Sequence, residues 1–248
     1  MITAILKREW LRIKPSIFSL IMFSILLTIS LFLVIGFPFY SIINTINGMK
    51  FMYWVSPGIW IFMSSLMGYI LSMDGINSML NEKRQIEAFC SMPISNKQIL
   101  LGIFIWAIII AFVQWNLSYL LTSLLNNDFF SLIQFFRLMF QSFPSIIFFA
   151  SLGILSSLLT TNRYWQITLS FLYFSILGFG LGCFIPINYF PLEIKSVLEI
   201  IPITNLINGA HEISFQNPGS FTGGLFSFMF GIFFLLISFG ISNKRFRK

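Results

Sequence analysis

Charged side chains are scarce in this sequence. Asp, Glu, Lys and Arg make up 9% of the 248 residues, against roughly 25% in soluble domains. Apolar residues make up 57% and aromatic residues 18%. So little charge cannot cover the surface of a soluble domain, and the composition therefore predicts an integral membrane protein.

Cysteine and histidine are also scarce, which excludes several kinds of site. Cys90 and Cys183 lie far apart and indicate neither a disulfide framework nor a metal-spaced cluster, so both are expected to act as small apolar residues. The single histidine, His211, has no partner at ligand spacing and is expected to be a surface or hydrogen-bonding residue. The sequence also lacks the phosphate-binding loop, the His-Glu-x-x-His motif and the Gly-x-Ser-x-Gly motif. We expect no enzyme activity, no metal and no cofactor in this chain.

Long apolar runs are abundant. Six windows contain no charged residue, and each exceeds the roughly 20 residues that a helix needs to cross a bilayer; they are 15–49, 51–73, 98–127, 138–162, 164–192 and 213–243. The predicted fold is an all-α integral membrane protein with six transmembrane helices, built as one domain over 1–248.

The basic residues between these windows fall unequally on the two sides of the membrane. One side holds twelve of them: Lys7, Arg8, Arg12, Lys14, Lys83, Arg84, Lys97, Arg163, Lys244, Arg245, Arg247 and Lys248. The other side holds three: Lys50, Arg137 and Lys195. The positive-inside rule then places both termini in the cytoplasm. Because this rule also explains the net charge of +7, we set nucleic-acid binding aside.

The first segment, 1–15, reads as an amphipathic helix at the cytoplasmic interface, with apolar residues on one face and basic residues largely opposite. Glu9 falls within the apolar arc, which is costly unless its carboxylate pairs with a neighbouring Arg or with a partner protein. A signal peptide is excluded because the apolar run after Pro15 is too long and lacks a small-residue cleavage site.

The segment 76–97 holds the densest charge cluster inside the chain and lies between two predicted spans. It contains apolar residues at helical spacing among charged ones: Ile86, Phe89 and Cys90 among Glu82, Lys83, Arg84 and Glu87. Pro93 ends this pattern, and Ser95 with Gln98 forms a capping-box pattern for the next helix. We interpret 76–97 as a cytoplasmic surface that a soluble partner can reach; the alternative is a solvated connecting loop.

Local breakers and polar residues mark positions within the spans. Gly36, Pro38 and Asn47-Gly48 indicate a short outer loop, and Ser56-Pro57-Gly58 a break at the start of the second span. Asp74 and Gly75 are expected to close that span, and Pro144 to kink the fourth. Four polar or aromatic residues cluster near the middle of the third span and are candidates for a transport pathway: Gln114, Trp115, Asn116 and Tyr119. The alternative for these four is hydrogen bonding between helices.

The segment 186–219 is neither uniformly polar nor uniformly apolar. Two amphipathic patterns follow one another in it, separated by Pro202. They predict a pair of short helices that dip into the outer leaflet as a re-entrant hairpin between spans five and six.

These motifs, in this order, resemble the ABC-2 family of ABC-transporter permease subunits over essentially the whole chain. The residues that carry the resemblance are Ser-Pro-Gly at 56–58, Arg-Gln-Ile-Glu at 84–87, Met-Pro-Ile-Ser at 92–95, Ile-Leu-Leu-Gly at 99–102 and Ile-Pro-Ile-Thr at 201–204. The last differs from the family's Asn-Pro-Leu-Thr at Ile201, and His211 stands near a position where members often carry Arg.

The resemblance implies a membrane subunit of an ATP-driven exporter in the bacterial cytoplasmic membrane. It implies a second permease subunit, in a homodimer or a heterodimer, and an ATP-binding cassette subunit that binds ATP and Mg. The candidate interface with that subunit consists of Glu82, Arg84, Glu87, Phe89 and Pro93 in a coupling helix, with Glu9 and Arg12 in the first helix. The solute would be amphipathic, lipid-linked, a glycan or drug-like.

Two other classes of function remain as alternatives. A secondary transporter would favour charged or ion-binding residues at mid-membrane and repeated halves, whereas the six windows contain no Asp, Glu, Lys or Arg. An intramembrane enzyme would need paired reactive side chains, which the sequence does not offer.

Overall fold

The computed structural model describes residues 2–46, 48–81, 95–127, 129–160, 162–217 and 219–245. These residues are almost entirely helical, which confirms the predicted all-α class, with one short antiparallel hairpin. In chain order the elements are α1 (Ile2–Ile13), α2 (Ile17–Leu31), α3 (Phe37–Ile42), β1 (Thr45–Ile46), β2 (Met49–Lys50), α4 (Phe51–Asn81), α5 (Asn96–Asn126), α6 (Leu132–Leu159), α7 (Arg163–Ser175), α8 (Leu192–Ile200), α9 (Pro202–Ser214) and α10 (Thr222–Arg245).

The first three helices follow one another almost without a break. A 3-10 turn at Lys14–Ser16 joins α1 to α2, and a π-turn at Phe32–Gly36 joins α2 to α3. The first part of the predicted outer loop, at Gly36 and Pro38, is therefore wrong, because Pro38 lies in the first turn of α3, a position that tolerates proline. Its later part at Gly48 is a turn. The chain reverses later, at the β1–β2 hairpin.

Helix α4 is longer than the predicted second span. It contains Pro57 in its interior, so the predicted break at Ser56-Pro57-Gly58 is wrong. It also continues past Asp74 and Gly75, which we expected to close the span, and ends at Asn81.

Two helices begin with reciprocal caps. The Ser95 hydroxyl accepts a hydrogen bond from the Gln98 amide (3.3 Å), and the Gln98 side chain accepts one from the Ser95 amide (3.2 Å), which confirms the predicted capping box of α5. Ser131 and Gln134 form the same motif at the start of α6, where we had not predicted it. Pro144, the predicted kink, lies inside α6.

Helix α4 lies at the centre of the bundle, packed against α5 on one side and α6 on the other. Helix α10 packs along α6, α9 packs against α4, α6 and α10, and α1 packs against α5. The contact between α4 and α5 includes a hydrogen bond from the indole of Trp60 to the Thr122 hydroxyl (2.7 Å). Such a bond satisfies a buried donor that lipid could not.

Five helical stretches of the described residues are long and apolar enough to cross a membrane: Ile2–Ile42, Phe51–Leu80, Asn96–Asn126, Leu132–Leu159 and Thr222–Ser242. The remaining predicted span, 165–184, consists of α7, a π-turn at Ile176–Gly180 and bent chain. It is not among the five. The count of six spans stays a prediction.

The bundle has two ends that differ in their contacts. At one end, which we name the α1 end, α1 lies beside the last turns of α4 and the first turns of α5. At the opposite end lie the hairpin, α8 and α9. Helices α8 and α9 are the two short helices predicted for 186–219; their insertion into the membrane as a re-entrant hairpin stays a prediction.

Candidate functional site

Helix α1 is held against the bundle by its apolar face. Ile5 and Ile13 are buried, and Ile5 lies so close to Gly102 of α5 that a Cβ at Gly102 would be 2.6 Å from the Ile5 side chain. Trp10 meets Trp106 of α5 edge to face, with ring centroids 6.2 Å apart. The absence of a side chain at Gly102 therefore allows the predicted interfacial helix to pack directly on α5.

Glu9 lies on the buried face of α1 and is 0% exposed. Its carboxylate forms ion pairs with Arg8 (Nη1–Oε1, 3.0 Å) and with Arg12 (Nη2–Oε2, 2.9 Å). The sequence left two partners open for Glu9, a neighbouring Arg or another protein, and the structure shows the first. A role of Glu9 at a partner interface stays a prediction.

Arg12 also joins α1 to α4. Its Nη1 lies 2.6 Å from Oδ2 of Asp74 and donates to the Asp74 carbonyl oxygen at 3.3 Å. Glu9, Arg12 and Asp74 thus form one chain of charges, which we name the Arg12 clamp. The clamp lies seven residues before the end of α4 at Asn81.

The Arg12 clamp borders the segment that the sequence identified as a partner surface. Residues 82–94 leave from the end of α4 and return at Ser95, the cap of α5. Five predicted interface residues lie outside the described residues: Glu82, Arg84, Glu87, Phe89 and Pro93. Helices α4 and α5, which precede and follow this segment in the sequence, both contact α1.

A second polar contact lies near the same end. The amide of Asn77 on α4 donates to Gln166 of α7 (2.8 Å), and Gln166 donates back to Asn77 (2.9 Å) and to the Thr160 carbonyl (2.7 Å). Sequence reasoning missed this pair. The signal for it was the isolated Gln166 one turn into an apolar window, since a buried amide requires partners.

The predicted pathway residues Gln114 and Asn116 differ in their contacts. Gln114 is buried and donates hydrogen bonds to Thr28 of α2 (3.3 Å) and to Ser118 of its own helix (3.1 Å). Asn116 is half-buried and donates to the carbonyl of Phe112, one turn back in α5 (2.8 Å). Gln114 thus joins two helices, as the alternative of hydrogen bonding between helices predicted, whereas Asn116 makes a local bond.

Trp115 and Tyr119, the other two predicted pathway residues, lie in an aromatic cluster inside the bundle. Their rings are stacked with centroids 6.0 Å apart. Trp60 of α4 contacts Trp115 at 5.7 Å and Tyr119 at 5.1 Å. The structure therefore does not gather the four candidates on one surface, and a role of any of them in transport stays a prediction.

The opposite end is organised around a stacked pair, Trp54 of α4 and His211 of α9. Their rings lie 4.0 Å apart and nearly parallel, at 13°. His211 is 5% exposed, and its Nε2 donates to the carbonyl of Gly182 (3.2 Å), so the expectation of a surface residue is wrong and that of a hydrogen-bonding residue is right. Burial lowers the pKa of His211 to about 4, so it is neutral near pH 7.

Gly58 explains the Ser-Pro-Gly motif in this fold. The backbone carbonyl of Cys183 lies against Gly58, at a place that a Cβ would occupy. Cys183 itself is fully buried, in agreement with its predicted role as a small apolar residue. The motif thus serves the close approach of 181–185 to α4.

The fold defines a helical multi-pass membrane protein with a docked amphipathic N-terminal helix, and its described residues hold no group of acidic, Cys or His side chains suited to a metal. The family model of ABC-2 type transporters matches residues 1–215, which is most of the chain, and the chain therefore belongs to the ABC-2 type transporter family. This confirms the resemblance that the motifs indicated. The chain is a transport permease component, of a family that generally works with an ATP-binding cassette subunit. The comparison with curated proteins gives no match.

Proposed function

We propose that the protein is the membrane subunit of an ATP-driven exporter in the bacterial cytoplasmic membrane. It would move an amphipathic, lipid-linked, glycan or drug-like solute outwards. The observation that supports this most directly is the Arg12 clamp, because it connects the N-terminal helix to α4, the helix that leads in the sequence into the charged segment 82–94. If force enters the bundle through this segment, the helix next to it must be connected to the rest of the bundle.

In this proposal the α1 end faces the cytoplasm and carries the ATP-binding subunit. That subunit would bind ATP and Mg, and its closure on ATP would displace the coupling segment 76–97. Helices α4 and α5 continue from the two ends of this segment, and α1 contacts both. The three helices would then move together as a rigid unit, as packed helices do in known switching transitions.

We further propose six spans, with α7 as part of the fifth, and a pairing with a second permease subunit. Helix α7 supports both proposals, since only Gln166 and Phe174 of its side chains are buried. Tyr164, Trp165 and Phe171 are exposed to 83%, 62% and 75%. In a membrane this apolar face needs cover, which lipid supplies on one side and a second copy would supply on the other.

The test is reconstitution with and without an ATP-binding cassette subunit, which would first be sought among the genes adjacent to this one. We expect the two proteins to copurify, and solute movement in proteoliposomes to require both subunits and ATP. Transport by this chain alone, driven by an ion gradient, would contradict the proposal and identify a secondary transporter.

A further inference from the structure

A cavity of about 580 Å³ lies at the end opposite to α1, bounded by α4, α8, α9 and the chain before α8. This volume falls within the range of about 300–1,000 Å³ typical of small-molecule sites. Its wall combines apolar side chains with polar ones: Ile187 and Phe215 with Glu199, Asn208, Glu212 and Asn217. Such a mixed wall suits a ligand that has an apolar part and a polar head.

The charge of the cavity wall is of one sign. Glu199 and Glu212 both line it, and no Lys or Arg is among the described residues that do. Lys195 lies nearby and approaches Glu199 at 3.7 Å, so it partly offsets that carboxylate. Glu212 accepts a hydrogen bond from the Ser220 amide (3.2 Å) and forms no ion pair with any described residue.

His211 gives a second, independent indication of a ligand. It is 95% removed from solvent and borders the cavity. A carbonyl can only accept, so Nε2 carries the proton that is donated to Gly182, and Nδ1 of the neutral ring is an acceptor. No described residue donates a hydrogen bond to Nδ1, although the backbone of Trp54 also interacts with the His211 ring. Unsatisfied buried polar atoms are rare in proteins and require an explanation.

We propose that this cavity binds an amphiphile that carries a protonated amine. The ammonium group would pair with Glu212 and, in competition with Lys195, with Glu199. Its N–H groups are donors: they can add an ion pair to Glu212, which has only the Ser220 amide as a described donor, and a hydrogen bond to Nδ1 of His211. The apolar part of the ligand would lie on Ile187 and Phe215. The inference adds a ligand class to the proposed exporter but does not depend on ATP-driven transport.

The test is equilibrium dialysis of labelled octylamine against the full-length protein in nanodiscs, with binding to empty nanodiscs subtracted. Octylamine is protonated at pH 7 and should bind saturably, and octyl sulfate, which has the same chain and the opposite charge, should not compete. Glu212→Gln should weaken octylamine binding about tenfold, since a charge-assisted contact is lost. The matched control is Glu193→Gln, which removes the same charge from an exposed position on α8 outside the cavity wall and should leave binding unchanged.

A second variant keeps the test decisive if Glu212→Gln does not fold. Asn217→Lys places a cation at an exposed position of the wall, and should weaken octylamine binding and strengthen that of octyl sulfate. Equal binding by these variants and the unchanged protein would overturn the proposal, as would the absence of saturable octylamine binding. Competition by octyl glucoside as strong as that by octylamine would also overturn it, because hydroxyl groups would then be recognised instead. The assay contains no ATP-binding subunit, so its failure would leave the proposed export untouched.

Discussion

Arg12 and Asp74 are 62 residues apart in the sequence, yet the guanidinium and the carboxylate approach to 2.6 Å. The same guanidinium holds the fully buried carboxylate of Glu9. One side chain thus neutralises a carboxylate that α1 buries and ties α1 to α4. The two contacts differ in their contribution to stability, because breaking an ion pair with a buried member costs much free energy whereas an exposed pair contributes little.

We expect Arg12→Ala to destabilise the protein by about 3 kcal/mol, since Glu9 would lose one of its two cations while remaining buried. Asp74→Asn should cost at most ~1 kcal/mol, because the Asp74 side chain is 62% exposed. The thermal unfolding midpoint in detergent measures both. Lys7→Ala, an exposed position on the same helix, is the control and should be neutral.

A second substitution separates charge from packing at this position. Adding Glu9→Gln to Arg12→Ala removes the buried charge that has lost one of its two cations, and should restore part of the lost stability. If Arg12→Ala is no worse than Lys7→Ala, the clamp does not hold α1 in place.

The close approach of Cys183 to Gly58 gives a prediction about the Ser-Pro-Gly motif. Gly58→Ala would place a methyl group where the Cys183 carbonyl lies, and backbone cannot move aside as a side chain can. We expect a loss of about 1–3 kcal/mol, typical of an overpacked site, seen as a lower unfolding midpoint. Gly240→Ala on α10 is the matched control, because nothing lies within 4 Å of a Cβ there. Equal midpoints for the two variants would contradict this role of Gly58.

Local sequence patterns predicted the local features of this fold. The Ser95–Gln98 cap, the amphipathic α1 and the two short helices after 186 each depend on residues within a few turns of one another, so spacing was sufficient. Pro57 was misread because a proline was expected to end the helix, whereas α4 carries it in its interior. Local propensity gave no information on which face of α4 packs against the neighbouring helices.

The contacts that join distant segments could not be predicted. The sequence showed that Glu9 needed a cation but not that Arg12 would also reach Asp74, which required the position of α1 on α4. The same is true of Asn77 with Gln166 and of Trp54 with His211. A single sequence shows that a buried polar or charged side chain needs a partner, but only the fold determines which residue that partner is.

The predicted orientation can be tested by cysteine labelling. In a protein with Cys90 and Cys183 replaced by Ala, a cysteine at Asn96 should react with an impermeant reagent only after the membrane is opened, since the α1 end is expected to be cytoplasmic. A cysteine at Lys50, exposed in the hairpin at the opposite end, should react in intact cells. The reverse pattern would overturn the topology.

Gln114 and Asn116 allow transport and packing to be separated. Gln114→Ala should lower stability by about 1 kcal/mol, because hydrogen bonds to Thr28 and Ser118 are lost between and along helices. Asn116→Ala removes only a bond within α5, so we expect normal stability with altered transport or solute-stimulated ATPase activity. Unchanged transport by Asn116→Ala would contradict a role of Asn116 in the transport pathway.

The last prediction concerns the coupling segment, where Phe89 is the expected anchor. Aromatic residues dominate the energy of protein interfaces, and truncating a buried one typically costs about 2 kcal/mol or more, roughly 30-fold in affinity. Phe89→Ala should therefore weaken copurification with the ATP-binding subunit and uncouple ATP hydrolysis from transport. Lys83→Ala should be mild, because a charge at the rim of an interface changes mainly the salt dependence of binding.

The comparison must be made in one membrane preparation, with copurification, ATPase activity and transport measured for every variant. Arg12→Ala should be measured in the same series. The Arg12 clamp joins α1 to α4, the helix that precedes the segment with Phe89, whereas Phe89 itself is the expected anchor. We expect Arg12→Ala to reduce transport more than copurification, and Phe89→Ala to reduce both. If Phe89→Ala and the double change Arg84→Ala with Glu87→Ala transport normally, residues 82–94 are only a connecting loop. Force would then have to enter the bundle elsewhere, and the ATP-driven mechanism would lose its main physical support in this chain.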